Sequence, residues 1–85
     1  MLKEERIKLK GLLYEKRKSL KALRLRGDGL VISLRNHLDP YKELTELRCD
    51  LIAMEALELQ DLWRKAKDLE EQIKRLEEDL GEEDG

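Results

Sequence analysis

From Leu59 onward the apolar positions fall at Leu59, Leu62, Ala66, Leu69, Ile73, Leu76 and Leu80. The steps alternate three and four, the period of a helix seam that packs against another helix. Upstream, Asp39-Pro40 carries a helix-start signature: the Asp carboxylate accepts from first-turn N–H groups, and Pro suits the first helical position, where its missing N–H is no loss. The pattern predicts a long helix over 40–80. Gly81 then opens an acidic tail over 81–85, ending Glu82-Glu83-Asp84-Gly85, which is expected to be disordered.

At the other end Leu2, Leu9, Leu13, Leu20 and Leu23 fit a seven-residue repeat, with Arg6 and Lys16 interrupting it. This predicts a first helix over 2–26. Gly27-Asp28-Gly29 reads as its end, since two glycines accept left-handed backbone angles and Asp caps backbone N–H groups. Residues 30–38, LVISLRNHL, place Leu30, Val31, Leu34 and Leu38 on one side of a helix. Read as a strand they have nothing to pair with, so a short connecting helix is expected. The residue before a proline is pushed away from helical angles, which ends that helix near Leu38. The fold expected is all-α: an antiparallel helical hairpin of the coiled-coil type.

Inside the long helix the seam changes phase. Leu44, Leu47, Leu51 and Met54 form one run, and Leu59 to Leu80 form a second run offset by one residue. Between them residues 51–59 are apolar nearly all round, which predicts contact with more than one neighbour. A junction of three helices is the plain reading; a ligand groove is the other. At 1.5 Å per residue a helix over 40–80 measures about 60 Å and one over 2–26 about 38 Å. The first helix is then too short to cover the second. Leu59, Leu62, Leu69, Ile73, Leu76 and Leu80 are therefore the expected oligomer interface, with a two-fold dimer as the simplest form.

Composition supports helices over sheets. Charged residues make up 45% of the 85 residues and hydrophobic ones 40%, and Phe is absent. Strands want β-branched and aromatic residues, whereas here Leu carries the apolar content. No apolar run approaches the roughly 18 residues that span a bilayer. The charged N-terminus does not resemble a secretory leader. With Cys49 as the only cysteine, no intrachain disulfide can form, which suits a cytoplasmic setting.

The net charge of −2 hides a division. Residues 1–27 hold ten Lys/Arg against three Glu, a balance of +7, and residues 28–85 carry −9. Such a chain either neutralises itself by folding or offers each half to a different partner. Lys16, Arg17, Lys18, Lys21, Arg24 and Arg26 are candidate phosphate contacts for sequence-indifferent nucleic-acid binding or for an anionic membrane surface. The plain reading is that they face the acidic helix and solvent. No aromatic platform for single strands is interleaved with them.

Candidate chemistry is thin. His37 and Cys49 are the only soft metal ligands, and zinc needs a denser cluster. His37 reads as a partly exposed residue at a helix end, and Cys49 as a small residue at the edge of the core. Ser19, Ser33 and Thr45 lack a recognisable base or glycine elbow. Gly27-Asp28-Gly29 lacks the Lys-Ser/Thr of a phosphate loop, and Arg26-Gly27-Asp28 is too short a match to mean adhesion. No cofactor and no enzymatic activity are expected. The function expected is structural, an assembly protein acting through helix–helix contact with itself or another protein. The alternative is a nucleic-acid accessory protein using the basic first helix.

The run RNHLDPYKELTELRCDLIAMEALELQDLWRKAKDLEEQIKRLEEDLG, residues 35–81, resembles small helical proteins of Mu-like prophages. The likeness lies in an Arg-containing turn before Leu-Asp-Pro and a Leu/Ala-rich helix closing on Leu-Gly. It implies a phage or bacterial origin and brings no functional residues with it.

Overall fold

Two long helices run antiparallel along each other. A computed structural model describes residues 2–81. α1 spans Lys3–His37 and α2 spans Cys49–Leu80, joined by a segment that holds one 3-10 turn, Leu44–Glu46. No strand occurs among the described residues. The acidic run 82–85 lies outside them, while Gly81 is an ordered helix cap.

The chain does not reverse at Gly27-Asp28-Gly29, and α1 absorbs both the expected first helix and the expected short one. Neither glycine adopts a positive φ; among the described residues only Gly81 does. Each glycine costs up to about 1 kcal/mol in a helix relative to Ala. The heptad that starts at Leu9 nevertheless continues through the motif as Leu20, Leu23, Gly27, Leu30 and Leu34, every one of them at least half-buried. Gly27 takes a seam position, where a Cβ would lie 3.9 Å from Leu59 Cδ1. Packing along this seam outweighs the glycine penalty.

The reversal occurs at Leu38–Arg48 instead. Asp39 begins a turn rather than a helix. Its Oδ1 accepts from Tyr41 N–H at 2.9 Å, and its carbonyl accepts from Lys42 N–H at 3.2 Å. Asp followed by Pro suits the first two positions of a β-turn. The following 3-10 turn is closed by Glu46, whose Oε1 accepts from Glu43 N–H at 3.3 Å. α2 therefore starts at Cys49, not at Pro40. It ends on Gly81, whose φ of 69° and N–H bonds to the Glu77 and Glu78 carbonyls form a left-handed cap.

With α1 at 35 residues and α2 at 32, the two helices match in length. The main core lies toward the open, terminal end of the hairpin. There Leu13, Leu20, Ile73, Leu76 and Leu80 are buried, with Leu9, Ala66 and Leu69 packed against them. Leu30 is buried apart from this cluster, nearer the loop. Each such side chain contributes roughly 1.5–3 kcal/mol on burial. The molecule is a rod of 63 × 21 × 14 Å with a radius of gyration of 18.6 Å, against about 12 Å for a compact domain of this length.

Candidate functional site

The stripe expected to bind a second chain is covered by the chain's own first helix. Ile73, Leu76 and Leu80 are buried, and Leu59, Leu62 and Leu69 are half-buried. A first helix of 25 residues would leave these side chains uncovered; α1, at 35 residues, reaches them. The seam also runs further than expected. Counting back from Leu59 by fours and threes gives Glu55 and Ile52, both half-buried. Leu44 and Met54, from the other expected run, are exposed.

The last seam level before the loop is polar. His37, the final residue of α1, brings Nε2 to 3.3 Å from Glu55 Oε1. That oxygen is enclosed and has no aligned hydrogen-bond donor among the described residues. The contact is thus a close electrostatic approach at a half-buried level.

Cross-helix contacts define the two flanks of the seam. On one, Arg17 Nη2 meets Glu77 Oε2 at 2.7 Å. On the other, Arg26 forks onto Glu58, with Nη2 at 2.7 Å from Oε1 and 3.0 Å from Oε2. Steps of seven from Arg17 reach Arg24, Val31 and Leu38; steps of seven back from Glu77 reach Glu70, Trp63 and Ala56. The first flank is therefore charged near the termini and apolar near the loop. Near the termini Arg17, Arg24, Glu70 and Glu77 rim an open, shallow groove floored by Leu20 and Ile73. The second flank carries Ser19, Arg26 and Ser33 on α1 with Glu58, Lys65 and Gln72 on α2. It is polar apart from half-buried Leu51 and, near the termini, exposed Leu12.

The basic cluster is split by the fold. Lys16 sits in the seam and its Nζ donates to Gln72 Oε1. Arg17 and Arg26 face acidic residues of α2. Lys18, Lys21 and Arg24 point outward, and Tyr14, Arg17, Lys18 and Lys21 border a shallow patch on α1. Folding thus joins part of the positive half to the negative one.

Among the described residues the apolar belt at 51–59 meets no third helix. Ala53, Met54, Ala56 and Leu57 are exposed. Trp63, 56% exposed, lies beneath Lys67, whose Nζ is 4.9 Å from the ring centroid. The flank that joins Val31 and Leu38 to Trp63 is not marked by the leucine pattern. Its signal is the spacing of seven through Arg24, Val31 and Leu38, in step with the seam.

Cys49 is exposed at the first turn of α2 rather than at the edge of the core, a consequence of the later helix start. Beside it, Arg48 bonds Asp50 at 3.3 and 3.4 Å. This guanidinium, and then the Leu51 N–H, hold the Asp50 carboxyl below its ordinary value. Among the described residues no three His, Cys, Asp or Glu group closely enough to hold a metal ion. No helix there is long and apolar enough to cross a membrane. No family model matches the chain, and no curated protein or solved structure matches it either.

Proposed function

We propose that the protein is a non-enzymatic assembly element that works by lateral helix–helix contact, with a second copy of itself as its partner. The observation that carries this reading is the apolar surface outside the completed seam. The exposed large apolar side chains outnumber the buried ones. They include Val31, Ile32, Leu38, Leu57 and Trp63 near the loop. Exposed apolar patches of this kind mark interaction sites, and a rigid helical rod presents them in fixed register. The reading takes the protein to act in a cytoplasm, where Cys49 stays a thiol. A phage or bacterial setting agrees with the resemblance of residues 35–81. Light scattering over a range of concentrations tests it: a mass above 10.1 kDa at micromolar protein supports self-assembly, and 10.1 kDa at 100-fold higher concentration defeats it.

A second reading has its own observation. Lys18 and Lys21 have no acidic partner among the described residues and flank Tyr14 and Arg17 on the outer face of α1. Lys18, Lys21 and Arg24 are the members of the basic cluster still offered to a phosphate backbone, since Arg17 is held by Glu77. Neutralising about three phosphates gives a slope near −2.7 in log affinity against log salt. A gel shift of duplex DNA or RNA at 50 mM salt that disappears at 200 mM supports this reading; no shift at 50 mM ends it.

A further inference from the structure

The accessible surface of the chain is 6967 Å². A compact monomer of 10.1 kDa exposes about 5,300 Å². The excess, about 1,700 Å², is apolar and polar surface that a compact domain would cover and a two-helix rod leaves open.

We propose that a second copy docks on the flank that carries Val31, Leu38, Ala56 and Trp63, antiparallel about a two-fold axis passing close to Val31 and Ile32, so that the loop-end portions of the two hairpins overlap as a short four-helix junction. This rests on the assembly reading above. The face is chosen by contrast. The opposite flank is polar apart from Leu12 and half-buried Leu51, which lie at its two ends, and the terminal half of the same flank is a charged groove. Apolar surface is continuous only over the loop half, where Val31, Leu38 and Trp63 are 37%, 54% and 56% exposed and the adjacent Ile32 and Leu57 are 61% and 67% exposed.

Orientation follows from charge. Asp28 and Arg35 lie seven residues apart on one face of α1, just outside Val31, and neither has an ionic partner among the described residues. They are equally distant from the midpoint between Val31 and Ile32. A two-fold axis there puts Asp28 opposite the partner's Arg35 and Arg35 opposite the partner's Asp28. An isologous interface requires self-complementarity of this kind. A parallel arrangement in register would set Asp28 against Asp28 and Arg35 against Arg35, and like charges opposed across an interface are strongly unfavourable.

The test is the sedimentation mass, by analytical ultracentrifugation, of the full chain from 1 to 100 µM. It compares the wild type with Trp63→Glu, Asp28→Arg, Arg35→Asp and the swap Asp28→Arg/Arg35→Asp. Helicity is checked by circular dichroism in each. The expected result is a dimer that Trp63→Glu converts to a helical monomer. Each single reversal weakens it at least tenfold, and the swap restores it. A wild type that stays monomeric overturns the assembly reading itself, and with it this one. A dimer that survives Trp63→Glu overturns the chosen flank while leaving the assembly reading in place. Loss of helicity in Trp63→Glu transfers the decision to the surface swap, and a swap no tighter than the single reversals overturns the antiparallel axis.

Discussion

His37 Nε2 stands 3.3 Å from Glu55 Oε1 at the last level of the seam before the chain turns. The pair replaces the leucines found at the levels below it, and the glutamate oxygen is enclosed without an aligned donor. Removing one side of such a contact leaves the other polar group half-buried with nothing polar facing it, whereas replacing both sides with apolar groups is often neutral or stabilising. His37→Leu is therefore expected to destabilise the hairpin by about 1 kcal/mol. The double variant His37→Leu/Glu55→Leu is expected to be at least as stable as the wild type. Urea unfolding of the two singles and the double measures the coupling. A His37→Leu variant as stable as the wild type would show that the histidine does nothing for Glu55.

Gly29 lies in mid-helix with nothing within 4 Å of an added Cβ. Its backbone is helical, so Gly29→Ala lowers the entropy of the unfolded chain without straining the folded one, a gain of about 0.4–1 kcal/mol. If the chain reversed at Gly27-Asp28-Gly29, the same change would force an alanine toward a left-handed conformation and destabilise. The sign of the shift in Tm thus distinguishes a continuous α1 from a hairpin turn at this position.

The two glycines also show what the sequence could and could not disclose. The register of Leu59–Leu80 was legible because nothing interrupts its alternation of three and four. The end of α2 at Gly81 was legible because a glycine follows the last seam residue. The start of α2 was not. Asp-Pro opens a β-turn as readily as a helix, and the dipeptide holds no information on which. What decides is chain closure: His37 lies beside Glu55, so a helix begun at Pro40 would start about 22 Å beyond the end of α1, and the links from His37 to Pro40 reach only about 11 Å. Gly27-Asp28-Gly29 misled for the same reason, since local turn chemistry is weak beside a seam continuing through Leu23, Gly27, Leu30 and Leu34. The paired charges were half legible. Opposite charge on the two halves foretold cross-helix contacts, but only the fold shows that Arg17 and Arg26 are engaged while Lys18 and Lys21 are not.

Gly81 closes α2 with a φ of 69° and donates its N–H to the carbonyls of Glu77 and Glu78. A side chain at that angle is strained, by about 1 kcal/mol. Gly81→Ala is expected to lower stability by that amount. Hydrogen exchange should localise the effect to the last turn, near Leu80. Unchanged protection there would mean that the helix ends without this cap.

Asp50 is held below its ordinary value of 3.8, first by Arg48 and next by the Leu51 N–H. A carboxyl depressed in the folded state contributes stability that is present above its unfolded value and lost as pH falls through the folded one. The first turn of α2 should therefore keep this contact at neutral pH and loosen only in acid below 3.8. The group is fully exposed, so the effect is local. An NMR titration should place the Asp50 midpoint under 3.8, and Arg48→Ala should move it upward. A midpoint indifferent to Arg48→Ala would remove the guanidinium as the cause.

Leu76 decides between two accounts of the leucine stripe. Were the stripe an interface between chains, Leu76→Glu would separate them into folded, helical monomers. In the hairpin, Leu76 is 8% exposed and belongs to the cluster of Leu13, Leu20, Ile73 and Leu80 within one chain. A carboxylate there would stand inside an apolar cluster, which costs several kcal/mol. A molecule of this size has a total stability of only about 5–10 kcal/mol, so the hairpin itself should open. The expected outcome is loss of most helical circular dichroism together with any loss of mass. Leu76→Glu chains that remain fully helical at half the wild-type mass would return the stripe to the interface between chains.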